Sequence, residues 1–516
     1  MEQGPLSDPT AAIVAAFRAD APQEALARFE AAGGGLFVFH HGYGPLAEVL
    51  AAMPDGLWRH NEAVLGALSF HLAKQGRAAR AHAHLTDPGL TFAPSARFAI
   101  YELLIAIHLG DPVRADDLER WRMAERRLPL AEPLLEGLYY NGMLVLLVRA
   151  GRLSEARAMG LRAIGAYRRA EHAYLEHFIH QHLADLSIME GHLRQGRRHL
   201  LIAEQLLHRS GQSYGNEAAI MEIIRLTLDY ETGRFSHIPA RSANLRAALV
   251  GGDSWAEIFH QLGRIVTLSL YFARGRHAAL SELELYQADF AQRHGRHSDV
   301  LTLLEAEVDR LDHRLYEAQL TLARIDTESL TSPIGTVLLT GLRAALGLGA
   351  AGQDDIPGPR ARLTAELRRA ASARDAERRR AVEHAFWISV KESHAAPFLE
   401  QRAALSGIGP RLRSGAFARG HVQLARMARR VIRTIDESYW IPPDLSAAGV
   451  THRQYRVMAA LQSGATNKQI ARSLGISEAN VKYHLSRLYR MTGTQRRGQL
   501  LEVSMQNHSS LKTYPE

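Results

Sequence analysis

Apolar side chains along this chain recur at intervals of three and four, the spacing of one helical face. Few segments alternate apolar with polar, and few gather the β-branched residues of strands. The pattern predicts an all-α fold. Over residues 1–300 it also predicts repetition. A glycine followed by a polar or basic residue recurs between apolar-periodic stretches, at Gly76, Gly110, Gly151, Gly191, Gly233 and Gly275. Successive members are 34, 41, 40, 42 and 42 residues apart. Spacing of that order is the mark of stacked helix pairs, in which each pair buries its apolar face against the next.

The clearest copy reads LLVRAGRLSEARAMGLRAIGAY, with Gly151 as its turn. It resembles the helix–turn–helix core of a tetratricopeptide unit, and implies an α-solenoid with somewhat longer helices than the usual repeat of about 34 residues.

Beyond Arg276 the rhythm fades, and residues 301–440 read as a further helical region, one that could continue the array. Ser298–Ile325 is expected to be one long amphipathic helix, broken by Ser329–Pro333. Leu346–Arg362 is rich in Gly, Pro and Asp and reads as an exposed loop. Leu363–Arg380, dense in Arg, Ala and Glu, is expected to be a solvent-facing helix. Phe386–Leu405 reads as helical with an interruption at Pro397, Ser406–Ser414 as a breaker, and Ala416–Tyr439 as helical. The Pro442-Pro443 pair is the expected domain boundary, because a proline pair resists helix continuation.

After that boundary the pattern sharpens into four short helices within residues 441–505. The first runs from Thr451 to Ser463 and stops at Gly464. The second is capped by Thr466 or Asn467 and ends near Leu474. Gly475-Ile476 makes a tight turn. Ser477 caps a third helix whose Val481, Leu485 and Leu488 form one apolar stripe, with Asn480, Lys482, Tyr483, His484, Ser486 and Arg487 on its other faces. A fourth spans Arg496–Val503, and residues 506–516 read as a disordered tail. Charge singles out the same stretch: residues 450–505 hold nine Arg or Lys and two acids, a net of +7 out of +8 for the whole chain. A basic patch confined to one small module is the footprint of a polyanionic partner.

These residues resemble the LuxR-type helix-turn-helix. Thr451, Arg453, Val457, Gly464, Asn467, Lys468, Ile470, Ala471, Leu474, Ile476, Ser477, Val481, Lys482 and His484 occupy matching positions of its pattern. Gln454 and Arg456 stand where the pattern has Glu, Met458 where it has Leu, and Thr466 and Asn480 where it has Ser and Thr. Gly493 and Gly498 stand where a larger residue is usual. The resemblance implies a sequence-specific DNA-binding transcriptional regulator. Lys482, Tyr483 and Ser486 would face bases, with Asn480 and Arg487 beside them; Asn467 and Lys468 would meet phosphates. Thr466, Ser477 and His484 complete the expected DNA-binding set. Leu500, Leu501 and Val503 of the fourth helix would pair two copies on a two-fold-symmetric site. Double-stranded DNA, a second copy of the chain and RNA polymerase are the implied partners. The array also resembles those of large LuxR-type regulators, but no G-x-x-x-x-G-K-[ST] is present, so their ATPase module is missing. An unidentified peptide, protein or small molecule is expected at the repeats.

No catalytic or cofactor-binding constellation is legible. Cysteine is absent, which removes thiolate nucleophiles, disulfides and cysteine metal sites. With no basic, apolar leader and no apolar run of the ~20 residues that span a bilayer, the expected location is the bacterial cytosol, in association with the nucleoid. His172, Glu176 and His180 lie one helical turn apart in a histidine-rich run, and a polar helix face explains them better than a metal site. The alternative to a regulator is a helical-repeat interaction scaffold with a degenerate DNA-binding domain, supported by Gln454, Arg456 and Gly498.

Overall fold

The computed structural model describes residues 8–508 apart from 112, 127, 129–131, 212–214, 253, 328–329, 331, 349–357, 374, 406–407, 409–411, 413–415, 419, 439–440, 442–444, 446–447, 462–463 and 475. Among the described residues there are 27 α-helices and no strand. The first four are α1 (Pro9–Arg18), α2 (Pro22–Ala31), α3 (Phe37–His41) and α4 (Tyr43–Ala52). Helix pairs follow: α5 (Glu62–Lys74) with α6 (Ala78–Leu85), α7 (Ala96–Leu109) with α8 (Ala115–Glu125), and α9 (Pro133–Arg149) with α10 (Leu153–Arg169). Next come α11 (Ala173–Glu190) with α12 (Leu193–Ser210), α13 (Glu217–Glu231) with α14 (Ile238–Gly251), and α15 (Ala256–Arg274) with α16 (Arg276–His294).

All six glycines of the periodic series sit in the turns of these pairs, and all six have positive φ. A left-handed residue reverses the chain within two or three positions, and only glycine takes that conformation without a Cβ penalty. The odd-numbered helices from α5 to α15 each pack on the next odd-numbered one as well as on their own partner. They make a central row: α9 and α15 are buried almost all round, whereas α10, α12 and α16 keep one exposed face. The layering is that of a helical solenoid.

The row curls back on itself. Arg149 of α9 forms a two-pronged ion pair with Glu257 of α15 and also donates to the Ile107 carbonyl at 2.8 Å. Arg296 donates to the Gly110 carbonyl at 2.8 Å, and the His172 ring meets the Phe39 carbonyl at 2.8 Å. The Arg149–Glu257, His172–Phe39 and Arg296–Gly110 contacts join segments from 108 to 186 residues apart.

The region after α16 departs from the sequence expectation in three places. The long helix expected over Ser298–Ile325 is two, α17 (Asp299–Leu311) and α18 (Leu315–Leu322). The chain turns between them at His313, a non-glycine residue with φ +62°. After α19 (Pro333–Ala345), α20 (Pro359–Ser372) begins inside the stretch expected to be loop. Leu363, Leu367 and Ala370 of α20 are buried, as is Arg360, so this helix is not solvent-facing. It separates from α21 (Asp375–Glu392) rather than running on to Arg380. Then come α22 (Ala396–Glu400), which starts at the expected Pro397 interruption, and α23 (Val422–Glu437). Most of Ser406–Ser414 and the Pro442-Pro443 pair lie outside the described residues.

Helices α20 to α23 dock on the array through a buried charge cluster. Arg360 donates to both oxygens of Glu231 (2.9 and 3.0 Å) and both of Glu400 (2.9 Å each). Arg264 reaches Glu400 at 2.9 Å, and the Tyr230 hydroxyl donates to it at 2.8 Å. Burial alone would raise the Glu231 carboxyl, but Arg360, His394 and Arg264 outweigh it and hold it well below the ordinary carboxylate range. Arg430 of α23 also donates to the Thr232 carbonyl, next to the Gly233 turn.

Candidate nucleic-acid interface

The C-terminal module comprises α24 (His452–Leu461), α25 (Asn467–Leu474), α26 (Glu478–Thr492) and α27 (Arg497–His508). Each of the first three is started by a side-chain cap. The Thr451 N–H donates to the Gln454 Oε1 at 2.8 Å, and the Gln454 N–H donates back to the Thr451 hydroxyl at 3.4 Å. This reciprocal capping box satisfies two otherwise orphaned donors. Gln454 is 2% exposed and does what Glu does at the family position, so its departure from the pattern is no defect. Thr466 and Gln469 repeat the device on α25 (2.8 and 3.3 Å), which makes Thr466 the cap and Asn467 the first helical residue. Ser477 caps α26 by accepting from the Asn480 N–H at 3.2 Å. Gly493 closes α26 in the left-handed conformation, φ +67°, where a larger residue would be strained.

Helix α24 is described to Leu461, and the last two residues of its expected span, 462 and 463, lie outside the described residues; α27 runs past Val503 to His508, into the expected tail. Tyr455, Val457, Met458, Leu461, Ile470, Val481, Leu485, Leu488 and Leu500 are buried together. Leu500 is 0% exposed. It lies in the core shared by α27 and α24, whereas Leu501 and Val503 are half-buried. An apolar residue on a terminal helix reads alike in sequence whether it packs inward or outward.

With Val481, Leu485 and Leu488 turned inward, α26 presents Asn480, Lys482, Tyr483, Ser486 and Arg487 to solvent. Tyr483 is 55% exposed. Arg487 reaches the Tyr483 hydroxyl at 3.3 Å and lies over its ring. Lys482 pairs loosely with Glu478 (3.6 Å), an exposed contact a competing anion displaces readily. His484 is half-buried; burial first, then Arg453 and Arg487, push its pKa down, so it is neutral at physiological pH. At the start of α25 Lys468 is exposed. The Asn467 side chain is held by Arg497, which donates to its Oδ1 at 2.9 Å and to the Ala465 carbonyl. Arg497 counted only as charge in the sequence, and nothing local to it signals this tie between α27 and α25. The Thr466-x-x-Gln469 box was legible as a pattern.

A capped helix, a tight turn and a second capped helix with a basic outer face define the helix-turn-helix domain of a DNA-binding transcription regulator. Residues 448–503 match the family described as bacterial regulatory proteins, luxR family. The C-terminal module is thus a LuxR-type helix-turn-helix domain, and the helical region before it lies outside the match. No curated protein and no solved structure matches the chain.

Among the described residues no group of three or more His, Asp or Glu is placed to hold a metal ion, and no helix is long and apolar enough to cross a membrane. Within the histidine-rich run, Glu176 pairs with Arg168 at 2.8 Å, and His180 meets His199 ring to ring at 2.9 Å.

Proposed function

We propose that the chain is a sequence-specific transcription regulator in which α26 reads the major groove and the helical array senses a ligand or partner. The observation that carries this reading is the exposed Lys482, Tyr483 and Ser486 face of α26, opposite a fully buried stripe. Base readout needs polar side chains on an accessible helix face, and these three supply a cation, a hydroxyl on a ring and a small hydroxyl. Lys468 and Asn467, at the N-terminus of α25, are placed for phosphate, where free N–H groups and the helix dipole favour an anion. Thr466 and Ser477 contribute as caps, and His484 as a half-buried support. Residues 1–300 would form the sensing array, 301–440 the segment that docks on it, and 441–505 the reader. A homodimer on DNA would use Leu501 and Val503 without Leu500, and RNA polymerase is the partner through which binding would alter transcription.

The scaffold alternative loses one of its supports, since Gln454 completes a cap. Selection of duplexes from a random-sequence pool by the full chain tests the proposal. Enrichment of one two-fold-symmetric sequence is expected; an unenriched pool would favour the scaffold.

A further inference from the structure

A cavity of about 110 Å³ opens where α5, α7, α9 and α11 face the start of α15. Tyr43, Phe70, Tyr174, Phe178 and Trp255 line it, so ring faces and edges approach from several sides. Lys74 enters the same space. Its ammonium lies 5.4 Å from the centre of the Tyr43 ring and 5.7 Å from that of Phe178, with Glu217 at 3.5 Å behind it. Lys74 is the sole lysine of residues 1–390, a stretch that otherwise takes its positive charge from arginine. A compact ammonium with three rotatable donors fits a confined space where a planar guanidinium fork does not. Three donors also let it pair with Glu217 and a second carboxylate together.

Size and charge narrow the occupant. An apolar cavity of about 150 Å³ is known to take benzene. At about 110 Å³ this one has room for no more than a single ring and excludes fused ring systems. His182 also lines the cavity, but burial pushes its pKa down to about 4, so it is neutral at physiological pH. His108 lines it as well, and Lys74 is the lysine the lining presents. The rings come from both ends of the curl, Tyr43 near the start and Trp255 at the head of α15. An occupant touching both would favour one arrangement of the array over another, which a sensed molecule must do to shift an equilibrium.

We propose that this cavity binds a small single-ring aromatic carboxylate, its ring among the aromatic side chains of the lining and its carboxylate on Lys74, and that this is the signal the array senses. The signal part rests on the reading of the array as a sensor.

The test is calorimetric titration of the full chain with benzoate, benzamide and cyclohexanecarboxylate. Benzoate is expected to saturate one site at least tenfold more tightly than either analogue, one lacking the charge and the other the aromatic ring. Lys74→Gln should remove the preference for benzoate over benzamide. If that variant does not fold, because Glu217 loses its partner, Lys74→Gln/Glu217→Gln keeps the pair neutral and gives the same readout. Absence of saturable benzoate binding, equal binding of benzoate and benzamide, or a preference that survives the Lys74 change would each overturn the site. Duplex-DNA affinity measured with and without benzoate separates the two readings. Benzoate binding that leaves DNA affinity unchanged removes the sensing role. No benzoate binding with DNA binding intact removes this site and leaves the regulator reading standing.

Discussion

Arg360→Met should release α20 to α23 from the array without unfolding the array itself. In the native cluster two guanidiniums, Arg264 and Arg360, face two carboxylates, Glu231 and Glu400, and the charges balance. The substitution leaves two buried carboxylates against one guanidinium, Arg264, with His394 beside Glu231. Breaking a buried pair by removing one partner costs roughly 3–5 kcal/mol, a large part of the about 5–15 kcal/mol that holds a typical domain together. Because the cluster links α13 and α15 to α20 and α22, that loss falls on the docking of residues 359–437. Hydrogen exchange read by mass spectrometry should show peptides of that segment opening at least about a hundredfold more often, since each 1.4 kcal/mol is a factor of ten. Peptides of α1 to α9 should keep their protection. Arg360→Met/Glu400→Gln leaves one carboxylate with Arg264 and should regain most of the loss. The wild-type contribution has a pH sign as well. Both carboxyls are held below their ordinary value of 4.5, so the stability they supply is present above that pH and lost as pH falls through their lower folded values. Unchanged protection over 359–437 in Arg360→Met, or a double variant no better protected than the single, would refute the argument.

Three further outcomes are expected. Lys468→Ala should weaken binding to all duplexes alike and flatten the salt dependence by about one unit; an unchanged slope, or a loss confined to one sequence, would show that Lys468 does not meet phosphate. Val481→Asp buries an unpaired charge at a fully enclosed position, so proteases should cut within 452–503 while the array resists; a variant that still folds and binds DNA would mean the register of α26 is wrong. His260, which meets the Ser298 hydroxyl at 2.8 Å, is pushed down by burial to about 3 from 6.5. It stays neutral when folded and takes a proton on unfolding, so stability should fall as pH drops from 6.5 towards 3. His260→Gln should flatten the acid limb of Tm against pH by one proton, and an unaltered limb would contradict the assignment.

The sequence carried the array's turns because glycine marks a left-handed reversal wherever one is needed, as at Gly151 and Gly191. It carried the start of α26 and its inward stripe because cap and spacing agree at Ser477, Val481, Leu485 and Leu488. It did not carry the turn at His313, where no glycine or proline signals it. The burial of α20 was illegible for a different reason: Arg360 reads as solvent-facing until Glu231 and Glu400, 129 and 40 residues away in the chain, are seen around it. The burial of Leu500 was illegible in the same way, since which side of α27 meets α24 is settled by packing and not by local pattern. At the candidate interface Lys482, Tyr483 and Ser486 were placed by the helical period alone, whereas the Arg497 tie to Asn467 depends on two helices meeting.

The ratio of specific to non-specific affinity, measured with the full chain at about 0.15 M salt on its selected duplex and a scrambled one, tests the central claim most directly. The account predicts a ratio of at least about a thousand. Tyr483→Ala and Lys482→Ala should each cut it by roughly ten- to a hundredfold, the worth of about 1–3 kcal/mol of base discrimination. Equal affinity for the two duplexes, or a ratio that neither substitution moves, would contradict the assignment of α26 as the reading helix.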